Sequence, residues 1–277
     1  MDKILAYGEI MLRISSDSES IDNTNSIGYG GCEANALAFL GQRGHNCKFL
    51  SSLPDNFVGK DAESFLKSFN IDCCLNFDKN RFGVYYTIPG KNNKPTKISY
   101  DRANSSFSLY SISKDRLLSL FKETKYLLIS GVTPPLSPQC QDNILKMIEI
   151  AKSNNIKIIY DVNYRKNLWS MSECRVFTQK ILNSIDFLFT NSNTIKEIFP
   201  ELNVNNIGKN VKYFEPGTLN LANSCYENLI KKAIGNDSYI KERPGSKIRQ
   251  HSLLTVSYTH LRAHETRGNL VCRLLLE

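Results

Sequence analysis

Apolar positions over the first 200 residues follow two spacings, one typical of buried strands and one of amphipathic helices. Short apolar runs predict strands at residues 3–10, 47–53, 126–130, 156–160 and 185–190. Segments with apolar residues three or four positions apart predict helices at 58–69, 114–121, 137–153, 170–183 and 194–199. This alternation is typical of an α/β fold with a parallel sheet and helices on both faces. Ligands of such sheets bind beyond the carboxyl ends of the strands.

Another helix is predicted directly after the pair Gly30-Gly31. One face of it carries Ala34, Leu37, Ala38 and Gly41, and Gly44 lies just beyond as a natural stop. A helix that begins at two glycines has accessible N–H groups and a positive dipole end, which suit a polyhydroxylated or anionic ligand. The simpler interpretation is a tight strand-to-helix turn, and this stretch alone favours it.

Residues 82–100 interrupt the alternation. Aromatic and branched residues at 82–88 and at 96–100 flank turn-forming residues at 89–95. We predict a β-hairpin that forms a flap over a site, with Asp101-Arg102 at its exit. Residues 11–14 predict a half-exposed strand, 17–26 a polar loop, and 208–219 no convincing strand.

Composition excludes several classes of protein. The net charge of +8 is spread along the chain, without the basic cluster or reader motif of a nucleic-acid-binding protein. No apolar run approaches the ~20 residues of a membrane span, and residues 1–8 do not resemble a secretory signal. Eight cysteines without a CxxC pair favour reduced thiols and a cytoplasmic location over disulfides or zinc.

Five motifs in order resemble the ribokinase-like (PfkB) carbohydrate kinases, and among them the 2-keto-3-deoxygluconate kinases. The motifs are Gly8-Glu9-Ile10-Met11-Leu12-Arg13, Gly30-Gly31-Cys32-Glu33-Ala34-Asn35, Leu53-Pro54-Asp55-Asn56-Phe57-Val58-Gly59, Ile98-Ser99-Tyr100-Asp101-Arg102-Ala103-Asn104-Ser105 and Asp161-Val162-Asn163-Tyr164-Arg165-Lys166-Asn167-Leu168-Trp169. The resemblance covers about residues 3–200. It implies a three-layer fold with a central, mostly parallel sheet, a small β lid and a missing C-terminal part.

The resemblance also implies roles for individual residues. Gly31 would contact sugar hydroxyls through its backbone, with Asn35 close by, and Tyr85 and Tyr100 would line the sugar from the flap. The other implied contacts are Arg102 and Arg165 on a keto-acid carboxylate, and Asn163 and Asn191 on the phosphate and metal side. Guanidinium forks and tyrosine rings suit these ligands.

Each of these residues has a simpler interpretation. The tyrosines could be ordinary hairpin aromatics, Arg102 a solvated charge, and Arg165 a local partner of Trp169. For Glu9, substrate contact and structural pairing are equally expected. Cys32 is expected to be a small buried thiol.

Two features that the resemblance calls for are absent from the sequence. The late Gly-Ala-Gly-Asp stretch, which would supply the catalytic base and an anion hole, has no counterpart, because no Gly-x-Gly-Asp occurs. Thr194 stands where the family often has a glutamate that organises the metal. We therefore expect no catalytic base and no direct metal ligand in this chain.

Residues from about Val256 resemble a translated sequencing adapter. Residues 256–266 back-translate as a transposase-type adapter, and 270–277 resemble the flow-cell end of the same adapter. The expected organisation is an α/β core at 1–202 with lid segments near 11–29 and 82–102, a poorly matched remainder at 203–255, and a non-native tail at 256–277.

The resemblance implies ATP-dependent, Mg²⁺-requiring phosphorylation of 2-keto-3-deoxygluconate or a similar sugar acid by a full-length parent, with this fragment inactive. Alternatives are a fructokinase- or ribokinase-type sugar kinase and a non-catalytic module that binds a sugar acid. The expected partners are a small sugar acid and a nucleotide, without nucleic acid or membrane. The lid is a possible surface for homo-oligomerisation.

Overall fold

The computed structural model describes residues 3–16, 24–88, 96–200 and 213–217, with the backbone alone at 24–25, 191–193, 195 and 213–217. Its strands are β1 (Lys3–Tyr7), β2 (Met11–Ser16), β3 (Thr24–Gly30), β4 (Asn46–Pro54), β5 (Ile71–Asp78), β6 (Val84–Ile88), β7 (Lys97–Asp101), β8 (Thr124–Ser130), β9 (Lys157–Asp161), β10 (Phe187–Asn191) and β11 (Tyr213–Gly217). Its helices are α1 (Cys32–Gln42), α2 (Phe57–Lys67), α3 (Ser106–Leu109), α4 (Lys114–Phe121), α5 (Pro138–Ser153), α6 (Met171–Ile181) and α7 (Ser192–Ile198).

Seven of these strands form one sheet in the order β11-β10-β9-β8-β1-β4-β5. Every neighbouring pair in it is parallel. The predicted parallel sheet is therefore confirmed. The carboxyl ends of its strands meet at one edge, where β1 ends at Tyr7, β8 at Ser130 and β9 at Asp161.

Helices cover both faces of this sheet. Along β1, Ile4 and Ala6 point into a core with α1 and α2, whereas Leu5 and Tyr7 point into a second core with α4, α5 and α6. Each fully buried Leu or Ile side chain contributes about 2 kcal/mol through removal of its apolar surface from water. The two cores define three layers and fix the register of β1.

A second sheet has four strands in the order β3-β2-β6-β7. Its outer pairs, β2–β3 and β6–β7, are antiparallel, and its central pair, β2–β6, is parallel. The predicted hairpin is confirmed in its two strands, and its turn at 89–95 lies outside the described residues. We call these four strands the lid sheet.

Four of these elements differ from the sequence interpretation. Residues 24–26, predicted as loop, begin β3, and 213–217, where no strand was expected, form β11. Two further elements, β5 and α3, had not been predicted. Each of β3 and β11 has only two aliphatic or aromatic residues and contains glycine, so hydrogen bonding to a neighbouring strand contributes more to its stability than intrinsic propensity does. Pro216 is compatible with the edge position of β11.

Candidate functional site

The turn Gly30-Gly31 joins the lid sheet to α1 at the carboxyl end of β1. Gly31 is the N-cap of α1 in an extended conformation, and its carbonyl accepts the N–H of Asn35 at 2.9 Å. A Cβ at Gly31 would overlap the carbonyl oxygen of Glu9. Glycine is therefore required here for the close approach of two backbone segments.

Tyr85 of the lid sheet contacts this turn, and Tyr100 stacks on Tyr85. Tyr85 and Tyr100 are cross-strand neighbours in β6 and β7, with stacked rings whose centroids are 5.9 Å apart. A Cβ at Gly30 would overlap the Tyr85 hydroxyl, so this hydroxyl lies directly on the glycine turn. Burial raises the pKa of Tyr85 to about 12, and the charge of the neighbouring Arg13 opposes the shift. The structure thus places Tyr85 on the predicted sugar-contacting turn and Tyr100 beside Tyr85.

Arg102, at the exit of β7, forms a buried ion pair with Glu9. Its Nε donates a hydrogen bond to Oε2 of Glu9 at 2.7 Å, its Nη2 lies 2.5 Å from the same oxygen as an ion-pair contact, and the Ser105 hydroxyl donates to Oε1 at 2.6 Å. The two paired side chains are 10% and 3% exposed, so Arg102 is not the solvated charge of the simpler interpretation. Of the two roles expected for Glu9, the structure shows structural pairing, with Arg102 and Ser105 as partners.

A second buried carboxyl, Glu33, lies in the first turn of α1 and was not selected from the sequence. It accepts hydrogen bonds from Ser130 at 2.5 Å and from Thr133 at 3.4 Å. Burial raises its pKa to about 7; the hydrogen bond from Ser130 and the charge of Arg102 oppose the shift, and the charge of Asp161 adds to it. Its position beside the glycine pair, in an otherwise apolar helix face, was the signal available in the sequence.

The remaining predicted residues lie at the same edge of the sheet. Asn163, with φ of 36°, follows β9 and donates from its side chain to the Cys32 sulfur at 3.1 Å. Arg165 is half-buried in the loop after β9, and its carbonyl accepts the N–H of Leu168. Asn191 is the last residue of β10 and is described by its backbone alone. Asn35 is half-buried in α1.

The described residues set limits on other chemistry. They contain no group of three or more His, Cys, Asp or Glu side chains placed to hold a metal ion. These side chains do not by themselves form a metal site. Among the described helices, none combines the length and the apolar character needed to cross a membrane.

A family model described as "pfkB family carbohydrate kinase" matches residues 1–221. The chain therefore belongs to the PfkB family of carbohydrate kinases. A 2-dehydro-3-deoxygalactonokinase of Haloferax volcanii is 26% identical over 201 residues, which are 71% of this chain and 63% of that relative. The chain spans 42% to 63% of the length of such curated relatives.

Solved structures agree with this assignment. A PfkB family carbohydrate kinase from Listeria grayi has a TM-score of 0.70 at 28% identity, over 76% of this chain and 68% of that one. The 2-dehydro-3-deoxygluconokinase from Thermotoga maritima has a TM-score of 0.69 at 26% identity, over 84% of this chain and 70% of that one. The ribokinase-like fold predicted from the motifs is confirmed.

Proposed function

We propose that this chain is the acceptor-binding part of a sugar-acid kinase that phosphorylates 2-keto-3-deoxygluconate or a closely similar acid. The observation that supports the proposal is the largely buried Arg102, which pairs with Glu9 and lies 5.9 Å from the ring centroid of Tyr100. A guanidinium fork recognises a carboxylate with defined geometry, and a neutral sugar has no matching group. The names of the relatives support the same substrate class.

In this proposal each residue has a binding or orienting role. Gly31 and Asn35 contact sugar hydroxyls, Tyr85 and Tyr100 enclose the sugar, and Arg102 and Arg165 hold the carboxylate. Asn163 and Asn191 lie toward the phosphate side. ATP with Mg²⁺ supplies the phosphoryl group when bound. We further propose that the protein acts in the cytoplasm and that the lid sheet is a surface for self-association.

The substrate class can be tested by measuring binding to the 277-residue chain calorimetrically. Arg102→Leu and Arg165→Leu should each lower the affinity for 2-keto-3-deoxygluconate by at least about tenfold, because each removes a charge-assisted contact. Binding of a neutral sugar such as fructose should change little. Equal losses for both ligands would contradict the carboxylate role and favour the alternative of a fructokinase- or ribokinase-type enzyme.

Turnover is a separate question, because the sequence has no Gly-x-Gly-Asp. In-line attack by a sugar hydroxyl needs a base to accept its proton, and the resemblance places that base in the absent motif. We expect little or no ADP release from this chain with ATP and the sugar acid in a coupled assay. Turnover at ordinary kinase rates would contradict this expectation.

The alternative of a non-catalytic sugar-acid-binding module predicts a different pattern in the same experiments. The chain would bind the sugar acid with unchanged affinity whether ATP is present or not, and it would show no nucleotide binding of its own. Recovery of a Gly-x-Gly-Asp stretch on resequencing the locus beyond codon 255 would instead support the kinase.

A further inference from the structure

We propose that Glu9 is a positioning residue that fixes the guanidinium of Arg102 and thereby gives the acceptor site its preference for a carboxylate over a neutral sugar. This inference rests on the proposed function, because it concerns the same acceptor site. It adds a residue from the connection between β1 and β2 to a set of ligand contacts drawn mainly from the lid and the glycine turn.

The geometry of the pair fixes one edge of the guanidinium. Oε2 of Glu9 accepts a hydrogen bond from Nε of Arg102 and makes an ion-pair contact with its Nη2, and Oε1 accepts a hydrogen bond from the hydroxyl of Ser105. Within the part of the chain that the structure describes, Nε and Nη2 are the Arg102 nitrogens that contact a carboxylate, Nε by a hydrogen bond and Nη2 by an ion-pair contact. The Nη1 side is therefore the part of the fork that a ligand carboxylate can meet.

Two glycines leave the space that Glu9 occupies. A Cβ at Gly31 would overlap the Glu9 carbonyl oxygen, and a Cβ at Gly83 would come within 2.5 Å of Glu9 Oε1. Glycine at both positions lets the backbone of Glu9 lie on the sugar-contacting turn while its carboxylate reaches the lid. Glu9 thus contacts both Gly31 of the glycine turn and Arg102.

Arg102 depends on this contact for its placement. It follows β7, an edge strand of the lid sheet in which all five residues are exposed. Its Cζ lies 5.9 Å from the ring centroid of Tyr100, which is itself 46% exposed. Fixing a long side chain at an exposed edge costs conformational entropy, and the buried Glu9, just beyond the carboxyl end of β1, provides a fixed partner.

If Glu9 acted through its charge alone, its removal would strengthen binding of the acid. A positioning role predicts weaker binding, so an experiment can distinguish the two roles. Arg102 lies near two buried acidic side chains, Glu9 by direct contact and Glu33 through its charge. Removal of the Glu9 charge leaves the site more positive and favours anions in general. A counter-charge role therefore predicts tighter binding of the acid in Glu9→Gln, whereas a positioning role predicts weaker binding.

The test compares 2-keto-3-deoxygluconate with its neutral amide by titration calorimetry on the full chain. In Glu9→Gln we expect affinity for the acid to fall about tenfold and affinity for the amide to change less than about twofold, so that selectivity is lost. Ser105→Ala removes one hydrogen bond to Glu9 and should lower acid affinity by about threefold. This milder variant keeps the test decisive if Glu9→Gln does not fold.

The matched control is Asp101→Asn, which breaks another arginine–carboxylate pair of the same hairpin, between Arg81 and Asp101. Asp101→Asn should leave acid selectivity unchanged. If it lowers acid selectivity as much as Glu9→Gln does, Glu9 only stabilises the hairpin in general. Unchanged or tighter acid binding in Glu9→Gln would overturn the inference. If the unmodified chain does not bind the acid, the proposed function itself fails, a result distinct from retained selectivity in the variant.

Discussion

The carboxyl group of Glu33 accepts a hydrogen bond from the hydroxyl of Ser130 at 2.5 Å, and both side chains are buried. The contact joins the first turn of α1 to the carboxyl end of β8, beneath the glycine turn. Burial of an ionisable group at this junction makes the stability of the fold dependent on pH.

The stability of the chain should fall as pH rises from about 4.5 to about 7. Burial raises the pKa of Glu33 from 4.5 to about 7, so the folded state holds a proton that the unfolded state has released. The contribution is fully present below pH 4.5, decreases through this window by about 3 kcal/mol, and is constant above it. Urea unfolding at pH 5, 6, 7 and 8 measures the slope.

Glu33→Gln should flatten this slope, because glutamine can still accept the Ser130 hydrogen bond but does not titrate. Glu149→Gln, on the exposed face of α5, is the matched control and should leave the slope unchanged. A slope equally steep in Glu33→Gln would mean that other groups cause the pH dependence.

Gly30→Ala should destabilise the lid, and Tyr85→Phe should reverse part of the loss. The new Cβ would overlap the Tyr85 hydroxyl, and the stacking of Tyr85 on Tyr100 restricts its movement. We expect a loss of about 1–2 kcal/mol in the free energy of unfolding for Gly30→Ala. A double-mutant cycle measures the coupling between the two positions, and strictly additive effects would contradict this close contact.

Tyr29→Phe should loosen the attachment of the lid sheet to α2. The Tyr29 hydroxyl donates to Asp61 at 2.8 Å, and its ring packs against Phe65 with centroids 5.4 Å apart. Loss of this hydrogen bond should cost about 1 kcal/mol and increase hydrogen exchange in β2 and β3. Tyr86→Phe, in the same sheet, is the control, since its hydroxyl has no hydrogen bond to the described residues. Equal exchange in both variants would argue against the attachment.

Asn143→Leu should be strongly destabilising, although leucine is close in size. The buried Asn143 donates to the Tyr7 hydroxyl at 2.9 Å and to the Tyr110 carbonyl at 2.7 Å, and accepts the N–H of Ile112 at 3.1 Å. Three buried polar groups would lose this partner, for a loss of about 3 kcal/mol or more. Gln141→Leu, exposed on the same helix, should change stability by less than about 0.5 kcal/mol. Thermal or urea unfolding compares the two.

The strand and helix order of the core was predictable from local patterns. The predicted helix at 114–121 coincides with α4, and the helix predicted at 137–153 differs from α5 only by the N-cap, Ser137. These segments have regular apolar spacing and a serine cap, so local sequence and tertiary packing favour the same structure.

Elements without that agreement were not predictable. The strands β3 and β11 lack an apolar pattern, and what makes them strands is hydrogen bonding to β2 and β10. The missed β5 is a different case, because it carries apolar residues at every second position, Ile71, Cys73, Leu75 and Phe77. That spacing is a strand pattern, so the signal for β5 was present in the sequence.

The sequence by itself determined the alternating α/β order, the hairpin, the glycine turn and, by resemblance, the sugar-kinase family. Only the tertiary structure decided that Glu9 pairs with Arg102 and that Glu33 is buried beside Ser130, because these partners are 93 and 97 residues apart along the chain. Residue type and spacing report local backbone preference. The partner of a buried charge depends on which distant strand ends the fold brings together, and that is set by the packing of the whole sheet.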